Sequence, residues 1–394
     1  MDKSVAIIGG GISGLVCAGR LKQLGFTNVT VYDTGKNGPG GRCSSRHINV
    51  NGTIHMFDHS AQYFTVSDPR FAKIVSFLHK QEAIKIWNGK IGHLKTGKFT
   101  EDGTLTQAFI GADGMMSVPK CLAGLTKVKG QTWVSNVKWE PSLKKWAVDK
   151  YGHSDYLVIA HNGKCADNLM ANAGVPDIHK LLQVRFNDTV NPRDNRMHLC
   201  SIWALLVAFP ASLKLPYVAA HVDDSQISWI ANNTSKVISN ISARTSVECW
   251  TIFSTKSYAK ANKVPQEHIP PAKAKEITST LLSAFSRITG QNQLPTPCFK
   301  RVQLWGAAVP LNVLNNGEEC VFDSRNNIGI CGDWLVTPCL QGAALSGLAL
   351  AEKIHKHSSG STSTATPMEA RFILERSKAI GAFPTDPGMI FNPK

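Results

Sequence analysis

The stretch Val5–Gly25, "VAIIGGGISGLVCAGRLKQLG", decides the fold. Val5–Ile8 is apolar and runs straight into three glycines. Beyond them Leu15, Ala18, Leu21 and Leu24 recur at helical spacing. The pattern predicts a buried strand over Ser4–Ile8, a helix over Ile12–Leu24 and a second strand, "VTVYD", over Val29–Asp33. Together they form a βαβ unit. Inside it, Gly9-x-Gly11-x-x-Gly14 has the spacing of a dinucleotide fingerprint. Gly9 permits the tight turn, Gly11 leaves room for a pyrophosphate, and Gly14 lets helix and strand pack closely. The free N–H groups of Ile12 and Ser13 at the helix N-terminus suit phosphate oxygens. Asp33 follows at the end of the second strand, where an acid accepts from ribose hydroxyls.

Two further stretches extend this site. In "GPGGRCSSR", Gly38, Gly40 and Gly41 make a flexible backbone, and Arg42 can reach a pyrophosphate. Far downstream, "NIGICGDW" reads as a strand ending in Gly332-Asp333. A helix follows, with Gly342, Ala343 and Ala344 in its first turns. A nicotinamide dinucleotide is usually held by one βαβ unit and a partner domain, whereas an extended FAD crosses several strand ends. The late Gly-Asp therefore points to FAD, with Asp333 accepting from the ribitol chain. The positive end of the following helix would face the N1/O2 edge of the flavin. The competing reading of Gly332-Asp333 is a capped helix after a buried strand. No second fingerprint and no C-x-x-C pair occurs, so a bound flavin would be reduced by a substrate entering a second lobe.

The chain has 394 residues, enough for two lobes. The expected fold class is α/β: a Rossmann-type FAD-binding domain and an α+β substrate domain built on an antiparallel sheet. Residues 1–75, 112–172 and 318–357 are assigned to the first, 76–111 and 173–317 to the second, and 358–394 to a Ser/Thr-rich linker and tail. The most apolar window, Leu199–Leu213, is broken by Ser201 and Pro210 and falls short of the roughly 18 residues of a membrane span. The start carries no charged leader with a long apolar stretch and no Arg/Ser-rich presequence, so a cytoplasmic location is expected. Ten scattered cysteines suggest reduced thiols rather than a disulfide framework or a metal site. The net charge of +15 is dispersed; it reads either as a solvated basic surface or as a cleft attracting anionic substrates. No nucleic-acid-binding motif accompanies it.

Elsewhere, Pro69–Lys80, Ser117–Leu122 and Ala272–Ser286 read as helices. Ile202–Phe209, Gln226–Ala231, Cys249–Ser254 and Tyr156–Ala160 read as strands, and Val128–Val148, with Trp133, Trp139 and Trp146, as a small antiparallel sheet.

On "VAIIGGGISGLVCAGRL", "GPGGRCSSR", "FDHSAQYFTVSDPRF", "GADGMMSVPKCLAG", "LWGAAVP" and "GICGDWLVTPCLQGAALSGLALAEKI", the chain resembles the amine-oxidase-like FAD oxidoreductases of glutathione-reductase-like fold, and within them the renalase-like branch. Asp58–Phe64 is similar to a D-x-G-A-x-x-F segment that runs beside the flavin, which implies cofactor contacts at Ala61 and Gln62. Ser60 stands where that family often has glycine, Asp33 where glutamate is common, and "QLW" at Gln303–Trp305 replaces a more basic pattern. The resemblance implies oxidation of aberrant dihydronicotinamides (NAD(P)H isomers) by hydride transfer to flavin N5, with O2 returned as H2O2. The substrate would then be a small anionic dinucleotide, and no catalytic group beyond the flavin is required. Gln62, Tyr63, Trp305 and Trp334 are the candidates for the pocket wall, and Cys339 for a place close to the flavin. A flavin amine or amino-acid oxidase, or a non-catalytic FAD-binding protein, are the alternatives.

Overall fold

The computed structural model describes residues 2–105, 107–191, 193–237, 246–315 and 317–360, and the backbone of Arg371–Leu374. Strand β1 (Ser4–Ile8), helix α1 (Ile12–Gln23) and strand β2 (Asn28–Tyr32) form the βαβ unit at the expected places. β1 is the centre of a six-stranded sheet. It pairs in parallel with β2 on one side and with Tyr156–Ile159 on the other, and Lys127–Lys129 and Ile328–Ile330 extend the parallel array. Val321–Asp323 closes one edge antiparallel. All four residues of Tyr156–Ile159 are buried, as expected of a parallel strand covered on both faces.

Two glycines set how closely α1 is packed. A Cβ on Gly14 would lie 2.1 Å from the Gly9 carbonyl oxygen, and one on Gly347 would lie 2.3 Å from the Ser13 carbonyl oxygen. Gly347 belongs to the helix Leu340–Ser358, so this second helix lies directly against α1 and both point their N-termini into one region.

The second sheet has eight strands. Its spine is Met197–Phe209, buried throughout, which contains most of the apolar window noted in the sequence. Glu248–Ser254 and Phe299–Pro310 flank it, both antiparallel. The helix Pro271–Thr289 covers one face with Ile277, Leu281, Ala284, Phe285 and Ile288. The chain is thus a mixed α/β protein whose two large sheets are one largely parallel and one largely antiparallel, with smaller sheets of two or three strands beside them.

Two expectations need correcting. Val128–Val148 is not one small sheet: Lys127–Lys129 joins the parallel sheet, while Val137–Glu140, Lys145–Val148 and His153–Ser154 form the antiparallel one, leaving Trp133 outside any strand. The helix Leu340–Ser358 runs one residue into the segment 358–394 expected as linker and tail. Apart from 358–360 and the strand Arg371–Leu374, which pairs with Asn312–Asn315, the expected linker and tail lie outside the described residues. Among the described residues no helix is long and apolar enough to cross a membrane.

Candidate functional site

A cavity of about 870 Å3 opens where the parallel strands end. That is toward the upper limit of small-molecule sites, roughly 300–1,000 Å3. Its wall combines Gly9–Ser13 and Asp33 with Arg42, Ala61, Trp305, Asp333, Trp334 and Ala343. The residues expected from three distant stretches of sequence therefore meet in one place.

At the β1–α1 end, Gly9 has a φ of +112°, the left-handed conformation that the turn needs. Gly11 is the N-cap of α1, and no side chain caps the helix. A Cβ on Gly11 would meet nothing within 4 Å, because the backbone here faces open cavity. The uncapped N-terminus and the space before it fit a phosphate group. Asp33 organises the loop: its Oδ2 accepts from Gly10 N at 2.8 Å and its Oδ1 from Gly35 N at 2.8 Å. Each carboxylate oxygen keeps a second lone pair for a hydroxyl.

Toward the antiparallel sheet, Arg42 donates to Asp333 Oδ1 at 2.6 Å and to the Ala308 carbonyl at 3.3 Å. Burial works against the Arg42 charge, but the Asp333 carboxylate outweighs it and raises the guanidinium pKa above its ordinary value. Asp333 is not a helix cap. The helix that follows is capped by Cys339, whose Sγ accepts from Gly342 N at 3.1 Å and which also lines the cavity. Gly41 sits in a short 3-10 turn, Gly41–Cys43, on the wall. Gly332 is crowded by the Trp334 indole, 2.7 Å from a would-be Cβ. Gly342 lies behind the wall, against the Thr337 carbonyl.

Trp305 and Trp334 line the cavity; Gln62 and Tyr63 do not. Gln62 is fully buried. Its Nε2 donates to the carbonyls of Asp58 and Ser60, and its Oε1 accepts from Lys236. Tyr63 packs between Trp87 and Trp229, and burial raises its phenol pKa. The segment approaches the cavity through Ser60 and Ala61 instead. Trp305 donates from Nε1 to the His59 carbonyl at 2.7 Å and stacks on the His59 ring at 5.4 Å.

Several wall residues went unread in the sequence. Trp133, 59% exposed, lines the cavity beside Thr132 and Val134. His161 and Gly163 follow the strand Tyr156–Ile159, repeating the strand-end logic of Gly9. The His161 Nδ1 lies 3.0 Å from the Ile8 carbonyl, and burial lowers its pKa. Gln266 reaches across from the segment between two helices, its Oε1 accepting from Gly306 N at 2.9 Å. No group of metal-ligating side chains occurs among the described residues.

The family description that matches is the NAD(P)-binding Rossmann-like domain, over residues 7–78. Among solved structures, cyclohexylamine oxidase from Brevibacterium oxydans aligns with a TM-score of 0.63 at 12% identity, covering 91% of this chain and 100% of that one. Putrescine oxidase bound to putrescine gives 0.60 at 12% identity, covering 90% and 99%. A flavoprotein/dehydrogenase from Cytophaga hutchinsonii gives 0.51 at 11% identity, covering 92% and 80%. At these identities the likeness is one of fold: over nine-tenths of its length this chain has the architecture of those amine oxidases, opening on a Rossmann-like dinucleotide-binding unit.

Proposed function

We propose that this protein is an FAD-dependent oxidoreductase, and specifically an oxidase of aberrant dihydronicotinamides of the renalase-like kind. The observation that supports the FAD part of this reading is the one cavity joining Gly9–Ser13 to Gly332–Asp333; the dihydronicotinamide part rests on the sequence resemblance. A site built for one mononucleotide half would not need both ends. The parallel-sheet residues 1–75, 112–172 and 318–357 would hold the cofactor, and 76–111 with 173–317 would form the substrate lobe.

Bound FAD would supply the two-electron acceptor. The protein's residues position and neutralise. The N–H groups of Ile12 and Ser13 take the pyrophosphate, and Asp33 takes a ribose hydroxyl. Arg42 can turn from Asp333 to the phosphates, freeing Asp333 for the ribitol chain. Trp305, partly buried on the wall, presents an aromatic face for a nicotinamide, whereas Trp334, 1% exposed, belongs to the packed core and offers none. The overall change balances as dihydronicotinamide + O2 + H+ giving nicotinamide cation + H2O2. It needs no general base. A cytoplasmic setting, where such dinucleotides occur, accompanies this reading.

The likeness to putrescine and cyclohexylamine oxidases favours a second reading, oxidation of a small amine. One experiment separates the two. The purified protein is loaded with FAD and mixed anaerobically with base-isomerised NADH, with NADPH isomers, and with a panel of amines. Bleaching of the flavin bands by the isomers alone supports the first reading, and bleaching by amines alone supports the second. An FAD-loaded protein that neither class reduces would refute both.

A further inference from the structure

Side chains alternate along a strand, so every second residue faces the same way. On the strand Phe299–Pro310, Val302 and Leu304 pack toward the helix Pro271–Thr289. Phe299, Arg301, Gln303 and Trp305 therefore share the opposite face, and the pairing with Met197–Phe209 is regular over this run. The strands Ser45–Val50 and Thr53–Asp58, with His59 after them, lie along the row. Phe57 meets Phe299 with ring centroids 5.8 Å apart, Arg46 donates to Gln303 Oε1 from Nε at 3.0 Å and from Nη2 at 2.8 Å, and His59 stacks on Trp305. Trp305 is on the cavity wall, while Arg301 is exposed, so the row leads from the cavity to solvent.

Two guanidiniums meet here without an acid. Among the described residues neither Arg46 nor Arg301 is in an ion pair, and the side-chain partner of Arg46 is the neutral amide of Gln303. Burial and the Arg301 charge lower the Arg46 pKa from its ordinary value, and both arginines push that of His59 down. The fold has gathered positive charge and left it unneutralised, and a bound anion would relieve the repulsion.

We propose that Arg46 and Arg301 form a phosphate-binding subsite, which holds the diphosphate of a dinucleotide substrate whose ring stacks on Trp305. This deepens the dihydronicotinamide reading above and rests on it. Gln303 and Arg301 follow Trp305 at about 6.6 Å and about 13 Å along the strand. The diphosphate of such a substrate is one ribose removed from its ring, so a ring on Trp305 brings it to the two guanidiniums. Gln303 steadies Arg46 through Nε and Nη2 and leaves Nη1 for phosphate oxygens.

The test compares FAD-loaded wild type, Arg301→Gln, Arg301→Lys and Lys300→Gln, the last removing the neighbouring charge on the other face. The substrates are base-isomerised NADH and the matching isomers of dihydronicotinamide riboside, which carry the same ring and no phosphate. Arg301→Gln should raise KM for the NADH isomers roughly tenfold, the loss of a charge-assisted contact, with kcat unchanged. It should leave KM for the riboside unchanged, Arg301→Lys should recover part of the loss, and Lys300→Gln should move neither substrate. Raising salt from about 50 to about 300 mM should raise the wild-type KM for the NADH isomers more than that of Arg301→Gln. An unchanged KM in Arg301→Gln overturns the subsite, as does an equal rise for both substrates or an equal effect of Lys300→Gln; in each case the functional reading stands. FAD-loaded wild type that neither substrate reduces overturns that reading, and this proposal with it.

Discussion

Among the ion pairs of the described residues, Lys236 with Asp58 is the most deeply buried. Both side chains are 0% exposed and lie 3.0 Å apart. The ammonium's three donors meet three acceptors: Asp58 Oδ2, the Gln62 carbonyl at 2.8 Å and Gln62 Oε1 at 3.2 Å. The Trp87 ring lies 4.6 Å away. Burial lowers the Lys236 pKa from its ordinary value, and the Asp58 carboxylate opposes that shift. On the far side, Asp58 Oδ1 accepts from Ser45 Oγ and Met115 N. Lys236→Met keeps the volume and gives Trp87 a thioether to pack on, but it strands a carboxylate in the interior. Removing one partner of such a pair costs about 3–5 kcal/mol. Asp58→Asn in the same chain removes the stranded charge while its amide oxygen still accepts from Ser45 and Met115, so the double variant should recover at least about 1 kcal/mol of that loss. Urea unfolding followed by tryptophan fluorescence reads both. A Lys236→Met loss below about 1 kcal/mol, or a double variant no more stable than the single, would refute the argument that a charged pair holds this centre.

The remaining predictions concern the cavity and its wall. Gly11→Val should leave apoprotein stability within about 1 kcal/mol of wild type yet abolish FAD binding, since its side chain enters open cavity. Gly14→Ala should destabilise the fold instead, because its Cβ meets backbone at 2.1 Å; melting temperatures and FAD titration together separate the two effects. His59 has its pKa pushed down to about 3 by burial and by Arg46 and Arg301. Between that value and about 6.5 the unfolded chain holds the extra proton. Stability therefore falls as pH drops through this window, by up to about 1.4 kcal/mol per pH unit. His59→Phe keeps the stack on Trp305 and should flatten the pH dependence of urea unfolding below about pH 6; an unchanged slope would show that His59 carries none of it.

The parts of the site that were legible share a cause. β1, α1 and β2 are specified by local periodicity and by glycines whose backbone roles depend on immediate neighbours, so Gly9, Gly11, Gly14 and Asp33 could be placed from sequence alone. Gly332-Asp333 was legible for the same reason, as a strand end before a helix. Gln62 and Tyr63 were misplaced because long-range partners decide where they point. Gln62 turns inward to Lys236, in the 3-10 turn Thr234–Lys236 that follows the strand Ile227–Asn232, and nothing in "DHSAQYF" announces that partner. The strand Phe299–Pro310 went unread because Lys300 and Arg301 are exposed and Gly306 interrupts it; its pairing with Met197–Phe209 makes it a strand. Trp133 was taken for a sheet residue along with Trp139 and Trp146, yet it lies outside any strand, while those two rings meet tilted, with centroids 5.5 Å apart.

The Arg42–Asp333 pair bears on how the site can be both stable and receptive. Asp333 is 5% exposed in its side chain; left alone it would be a buried unpaired carboxylate of the kind that costs several kcal/mol. Arg42 prevents that, and its own partly exposed side chain keeps it able to move. A dinucleotide entering the cavity does not fill two vacant sites. On the FAD reading it would exchange one ion pair for two new contacts, Arg42 with phosphate and Asp333 with a hydroxyl. The affinity gained there is a difference between paired states, and most of the net binding must come from the open backbone at Gly11, the α1 N-terminus and the apolar wall. It follows that Asp333→Asn, which weakens the pair without burying a charge, should affect FAD affinity less than Gly11→Val. Equal losses in the two variants would mean that Asp333 is not committed to Arg42 before the ligand arrives.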